Sequence, residues 1–224
     1  MQNLKYVGKN LFLERVSIRN FLKKNKTPFY IYSKNQIISN YSNFVRTFKK
    51  TNPLICFAAK SNSNTNILRI LGKLGAGADV VSGGELLKAL RAGIKPKKIV
   101  FSGVGKTAEE IKHAIDKKIL LINAESENEI VNISSIAKDK RRTVNVGLRL
   151  NPNVDALTNS KISTGRNIDK FGLNEKVISK LIKKYKNSNY IKIKCLSVHI
   201  GSQITELKPY AEMIKSVSKF IEKI

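Results

Sequence analysis

Short apolar runs alternate along the chain with segments whose apolar residues recur every three or four positions. Phe29-Tyr30-Ile31-Tyr32 reads as a strand and leads into a helical stripe of Ile37, Ile38, Tyr41, Phe44, Val45 and Phe48. From Leu54 onward six further runs have strand character: 54–59, 78–81, 98–101, 119–122, 144–150 and 191–200. Helical stripes lie between them. They carry Ile67, Leu68 and Leu71; then Leu86, Leu87 and Leu90; then Ile111, Ala114 and Ile115; then Ile130, Ile133 and Ala137. A long loop up to Phe171-Gly172 precedes the stripe of Val177, Ile178, Leu181 and Ile182.

The helix starts carry their own marks. Ser33 with Gln36, Ser82 with Glu85, Thr107 with Glu110 and Ser126 with Glu129 fit the capping box, in which each partner satisfies a free backbone donor. Repeated strand–helix units imply a parallel sheet with covered faces. The short spacing predicts an α/β fold, a (β/α)8 TIM-type barrel over residues 28–224. About six of its eight strands are present. The last stripe, Leu207, Tyr210, Ile214, Val217, Ile221 and Ile224, is still periodic where the sequence stops. The expectation is therefore a barrel truncated before closure, with edges that need pairing.

Composition changes this picture little. The 224 residues are 42% hydrophobic, enough for one sizeable core. Lys and Arg total 42 against 16 Asp and Glu, a formal charge of +26, which raises nucleic acid or an anionic membrane as a partner. The lysines are scattered and not gathered in one arm, and no zinc-finger or RNP-like pattern occurs, so neither partner is expected. Cys56 and Cys195 sit in strand-like runs and read as buried free thiols in a reducing compartment. No signal core follows Met1, and no apolar run is long enough to span a bilayer, so a soluble cytoplasmic protein is expected.

In a barrel, reactive groups gather at the C-terminal ends of the strands. Lys60 follows the run 54–59, a position suited to carbonyl chemistry. Asp79 is flanked by Ala78 and Val80 and needs a partner if buried. Ser102-Gly103-Val104-Gly105-Lys106-Thr107 resembles a phosphate loop but lacks the spacing of one. Arg149 ends the fifth run, and His199-Ile200-Gly201-Ser202-Gln203 ends the sixth. At that turn backbone and hydroxyl donors could meet an anion. His113 lies in a helix and is read as structural or exposed. No Cys/His cluster has metal-ligand spacing, so no metal is expected. A lysine, an acid, an arginine and a histidine at neighbouring strand ends point to Schiff-base chemistry.

Several stretches resemble the diaminopimelate decarboxylases, within the alanine-racemase-like, fold-type III pyridoxal-phosphate enzymes. They are 56–62 (Cys-Phe-Ala-Ala-Lys-Ser-Asn), 77–85 (Gly-Ala-Asp-Val-Val-Ser-Gly-Gly-Glu), 99–107 (Ile-Val-Phe-Ser-Gly-Val-Gly-Lys-Thr) and 123–127 (Asn-Ala-Glu-Ser-Glu). Further on, 149–155 (Arg-Leu-Asn-Pro-Asn-Val-Asp), 162–165 (Ile-Ser-Thr-Gly), 170–172 (Lys-Phe-Gly) and 199–203 (His-Ile-Gly-Ser-Gln) also match. The resemblance implies pyridoxal 5′-phosphate as cofactor, held by Lys60 as a Schiff base. It implies that Asp79 and Arg149 organise the lysine and the ring substituents, that His199 stacks on the ring and that Ser202 bonds the phosphate. It also implies decarboxylation of meso-2,6-diaminopimelate to L-lysine, with the scissile bond held perpendicular to the ring. A homodimer is implied for the full-length enzyme.

Two loop segments depart from the family pattern. Thr158-Asn159-Ser160-Lys161 replaces the usual Thr-His-Pro-Tyr, and Arg166-Asn167-Ile168-Asp169 precedes Lys170 where an acid and an asparagine are usual. The family's glycine-rich phosphate loop, pyridine-pairing glutamate, substrate arginine and cysteine segment would follow Ile224, as would a C-terminal β-domain. Residues 1–27 resemble the segment that packs with that domain. The resemblance thus predicts little decarboxylation by residues 1–224 alone. Ornithine, arginine or carboxynorspermidine decarboxylases and a non-catalytic single-barrel cofactor binder are the alternatives, and the motifs favour neither.

Overall fold

The computed structural model describes residues 3–158, 162–165 and 171–224. Among these, six parallel strands form one sheet: β4 (Cys56–Ala58), β5 (Gly77–Val80), β6 (Ile99–Phe101), β7 (Leu121–Ala124), β8 (Val144–Arg149) and β9 (Ile191–Ser197). Their spatial order is their sequence order. A doubly wound sheet reverses direction at a switch point; this one never does. All its crossover helices therefore lie on one side, which is the topology of a (β/α) barrel. The crossovers are α3 (Thr65–Lys73), α4 (Gly83–Arg91), α5 (Ala108–Asp116), α6 (Glu127–Asp139) and α7 (Glu175–Tyr185), and α8 (Lys208–Ile221) follows β9.

The two-residue period of a strand sorts the side chains. Ala78, Val80, Ile99, Phe101, Ile122, Val146 and Leu148 point to the helices and join Leu68, Leu86, Ile111, Ile130 and Ile178 in one continuous core. Each large side chain buried there contributes about 1.5–3 kcal/mol. The alternate positions face inward. Parallel register sets Ala58 beside Asp79 and Asp79 beside Val100, then Asn123 beside Gly147 and Gly147 beside Cys195. Asp79, Asn123 and Arg149 therefore belong to the inner face because of their parity along the strand.

All four serine or threonine caps form. Ser33, Ser82, Thr107 and Ser126 each accept from the backbone N–H three residues on. The reciprocal half of the box closes only at Thr107, where Glu110 takes the Thr107 N–H. Glu85 and Glu129 reach one residue further back, to the Val81 and Glu125 amides. Those amides lie at the strand ends, so the two glutamates fasten the helices to the strand mouths.

Three expectations need correction. Phe29-Tyr30-Ile31-Tyr32 forms no strand, and Tyr30 is 91% exposed. The run pairs with no neighbouring strand, so its apolar character alone does not order it. The helix it leads into does form, as α2 (Lys34–Thr47), but Phe44, Val45 and Phe48 on its stripe stay exposed. Cys56 and Cys195 are free but half-buried; burial pushes the Cys56 thiol up to about 11 and the Cys195 thiol also upward.

The N-terminal segment holds an antiparallel sheet that the periodicity left unread: β1 (Leu4–Val7), β2 (Asn10–Leu13) and β3 (Val16–Ser17), followed by the short α1 (Ile18–Leu22). Its signal was the turn at Gly8-Lys9, where Gly8 adopts φ +59° between two short apolar runs. Glu14 ties this sheet to α2, accepting from the Ser33 hydroxyl at 2.5 Å and the Asn35 N–H at 2.9 Å. Among the described residues no helix is long and apolar enough to cross a membrane.

Gly77 occupies the inner layer beside Cys56. A Cβ there would lie 2.2 Å from the Lys98 carbonyl oxygen and 2.7 Å from Cys56 Sγ. No rotamer change relieves a backbone collision. Gly77→Ala is therefore expected to destabilise the protein by about 1–3 kcal/mol, read from the urea midpoint. An unchanged midpoint would show that β5 and β6 are not packed at this distance.

Candidate active site

The inner positions converge at the C-terminal mouths of the strands. Lys60, Asp79, Arg149, His199 and Ser202, singled out from four different strand ends, line one cavity of about 530 Å³ together with Glu125, Ser102 and Thr164.

Lys60 sits in a single 3₁₀ turn, Ala59–Ser61, that ends β4. The turn is closed by Asn62 N–H donating to the Ala59 carbonyl and by the Ser61 hydroxyl donating to the Ala58 carbonyl. It stops the strand one residue early and puts the exposed lysine at the rim. Asp79 has the partner its apolar neighbours demanded. The Ser102 hydroxyl donates to Asp79 Oδ1 at 2.6 Å, and Asn123 Nδ2 donates in turn to Ser102 Oγ at 3.1 Å. Burial holds the Asp79 carboxyl above the usual carboxylate range, against the Ser102 bond and the Lys60 charge, which pull it down.

Arg149 ends β8. Its Nη1 lies 2.5 Å from Glu125 Oε2, and its guanidinium rests 5.2 Å from the Phe171 ring centroid. The other oxygen of Glu125 accepts the Gly103 N–H at 3.1 Å. His199 follows β9. The Gly201 N–H, which can only donate, meets His199 Nδ1 at 3.1 Å, so Nδ1 accepts and the ring proton sits on Nε2. Burial, with the nearby Arg149 and Lys60 charges, lowers the imidazole below its ordinary range, so the ring is neutral at pH 7. The Ile162–Gly165 stretch pairs with this turn through a Ser163–Gly201 bridge, and the Thr164 hydroxyl donates to the His199 carbonyl at 2.8 Å.

One reading changes. The His199–Gln203 turn does not offer its first backbone donors to an anion. The Gly201 N–H serves His199, and the Ser202 N–H serves the Ile162 carbonyl at 3.2 Å; the Ser202 hydroxyl still lines the cavity. The spacing argues against a phosphate loop over residues 102–107, and Lys106 is engaged elsewhere. Its Nζ turns inward to the Gly103 carbonyl at 2.5 Å, the Asn123 carbonyl at 2.8 Å and Glu129 Oε1 at 2.6 Å, which occupies all three ammonium donors. Glu125, Ser102, Asn123 and Thr164 carried no role in the sequence reading. Glu125 had a findable signal, an acid directly after an apolar run, just as Asp79 stands within one. The segments 159–161 and 166–170, which hold most of the departures from the family pattern, lie outside the described residues.

Residues 34–224 match the family described as the pyridoxal binding domain of pyridoxal-dependent decarboxylases. The chain belongs to this family. This pyridoxal-binding domain is 44% identical over 199 residues to the diaminopimelate decarboxylase of Helicobacter pylori, a match covering 89% of the chain and 49% of that relative. It is 39% identical over 224 residues to the diaminopimelate decarboxylase of Aquifex aeolicus, covering 99% of the chain and 52% of the relative. It superposes on the solved diaminopimelate decarboxylase of M. jannaschii in co-complex with L-lysine with a TM-score of 0.91 at 37% identity, covering 98% of the chain and 52% of that structure. The chain thus spans about half the length of the curated relatives it matches. The shared family makes pyridoxal phosphate the cofactor of this domain.

The Lys106 side chain has no solvent exposure, and that of its partner Glu129 is 11% exposed. Replacing one member of such a pair strands the other, along with the Gly103 and Asn123 carbonyls. Lys106→Met is expected to cost about 3–5 kcal/mol in urea unfolding. A loss below about 1 kcal/mol, the scale of an exposed pair, would contradict the burial.

Proposed function

We propose that this domain carries the lysine-bearing side of the active site of a diaminopimelate decarboxylase, which converts meso-2,6-diaminopimelate to L-lysine and carbon dioxide. One observation supports it above others. A chain 34–44% identical to diaminopimelate decarboxylases gathers an amine, a carboxylate, a guanidinium, a neutral imidazole and a hydroxyl around a single cavity.

That donor set fits pyridoxal 5′-phosphate. The aldehyde requires an amine, the phosphate and ring oxygen require hydrogen-bond donors, and the flat ring requires a flat neighbour. When bound, the cofactor supplies an electron sink for the electron pair that departing carbon dioxide leaves behind. Lys60 contributes the amine at the rim of the cavity. Asp79, with one carboxyl oxygen engaged by Ser102, is the negative counterpart that orients Lys60. Arg149 faces the ring substituents. His199 offers a planar face and, being neutral, adds no third positive charge beside Lys60 and Arg149. The Ser202 hydroxyl bonds the phosphate. The substrate is a small amino acid, and the protein acts as a cytoplasmic homodimer with neither nucleic acid nor membrane as partner. Residues 28–224 build the barrel, and residues 1–27 pack with a C-terminal β-domain.

Borohydride is expected to fix pyridoxal phosphate covalently to the Lys60 peptide of the unmodified protein and to leave Lys60→Ala unlabelled; label elsewhere would remove Lys60 from its role. With the product of the complete reading frame, carbon dioxide release from meso-diaminopimelate should exceed that from ornithine or arginine by roughly a hundredfold or more, because a site built for a polar group rejects analogues lacking it. Equal rates would favour a different basic amino-acid decarboxylase.

A further inference from the structure

We propose that Glu125 is a positioning residue for the cofactor site, acting through Arg149. The inference rests on the reading of Arg149 as a cofactor-facing group and extends it to a carboxylate with no other part in that reading.

Glu125 stands directly after β7, between the mouths of β6 and β8. Its side chain is 5% exposed, a setting that an ionised carboxylate occupies only when paired. Both oxygens are engaged. Oε2 meets Arg149 Nη1 at 2.5 Å, and Oε1 accepts the Gly103 N–H at 3.1 Å. One carboxylate thus joins the end of β8 to the loop after β6. Glu125 is itself located from behind: its backbone N–H donates to Glu129 Oε2 at 2.7 Å, while Glu129 Oε1 holds Lys106. Lys106 returns to the Gly103 and Asn123 carbonyls, so the support closes into a ring around the β6 and β7 mouths.

Arg149 is located on two sides, by Glu125 and by the face of Phe171. Its side chain is 14% exposed, so little water competes for the guanidinium. Without Glu125 the arginine would keep its charge and lose its direction. Its flexible stem would then sample other rotamers, and the cavity wall would have to be ordered anew for each binding event. The cost falls on cofactor affinity through lost preorganisation. A carboxylate that served only the fold would lower stability and leave affinity untouched once the protein is folded.

A double-mutant cycle separates these roles. Glu125→Gln, Arg149→Met and the double variant are made in the product of the complete reading frame. Pyridoxal phosphate affinity is read by equilibrium dialysis, and apo-protein stability by urea unfolding. Glu125→Gln alone is expected to weaken cofactor binding roughly tenfold, yet by less than about twofold when Arg149 is already Met, the non-additivity of residues in one network. Equal fold-losses in both backgrounds would overturn the inference while leaving the cofactor reading intact, since the parent still binds. A parent that takes up no pyridoxal phosphate overturns the cofactor reading, and this inference with it.

Discussion

Lys106 carries its charge with no access to solvent, and the mouth of the sheet is arranged around that charge. Its three donors meet two carbonyls and one carboxylate, from the loop after β6, the end of β7 and the first turn of α6. An ammonium so placed is tolerated only with full pairing. The same Glu129 that pairs with it receives the Glu125 backbone, and Glu125 holds Arg149. The position of Arg149 at the cavity wall thus rests on a buried ion pair two residues removed from it. Such networks are rigid because any partial break leaves a buried polar group unsatisfied.

Around this ring the cavity combines two electrostatic settings. On one side Asp79 and Glu125 supply negative charge beside Lys60 and Arg149. On the other, His199 is kept neutral by burial and by those same cations. The tautomer is set by a backbone amide, so the ring does not need a carboxylate to orient it. Among the described residues lining the cavity, two cationic side chains thus stand beside two carboxyls in a chain whose formal charge is +26.

The barrel topology was legible because the physics behind it is local. Apolar runs spaced by capped helical stripes can only be repeated strand–helix units, and the caps at Ser33, Ser82, Thr107 and Ser126 formed where the pattern put them. The need of Asp79 for a partner, between Ala78 and Val80, was legible too. The Phe29–Tyr32 run failed because a strand exists only with a neighbour, and apolar composition supplies none. The Gly8-Lys9 hairpin was missed because runs this short carry almost no periodicity.

The sequence by itself determined the repeating units and the candidates Lys60, Asp79, Arg149, His199 and Ser202, since these follow from spacing and from motifs of a few residues. Only the tertiary structure decided what those candidates touch. Glu125 and Arg149 are 24 residues apart, Lys106 and Glu129 are 23 apart, and Asp79 and Ser102 are also 23 apart. Each separation is about one strand–helix unit, so the partners are brought together by parallel register and by nothing local. That is also why Lys106, read along the chain as part of a phosphate-like loop, proves to be an inward clamp. The direction of a side chain at a strand mouth depends on the neighbouring strand, which the local sequence does not encode.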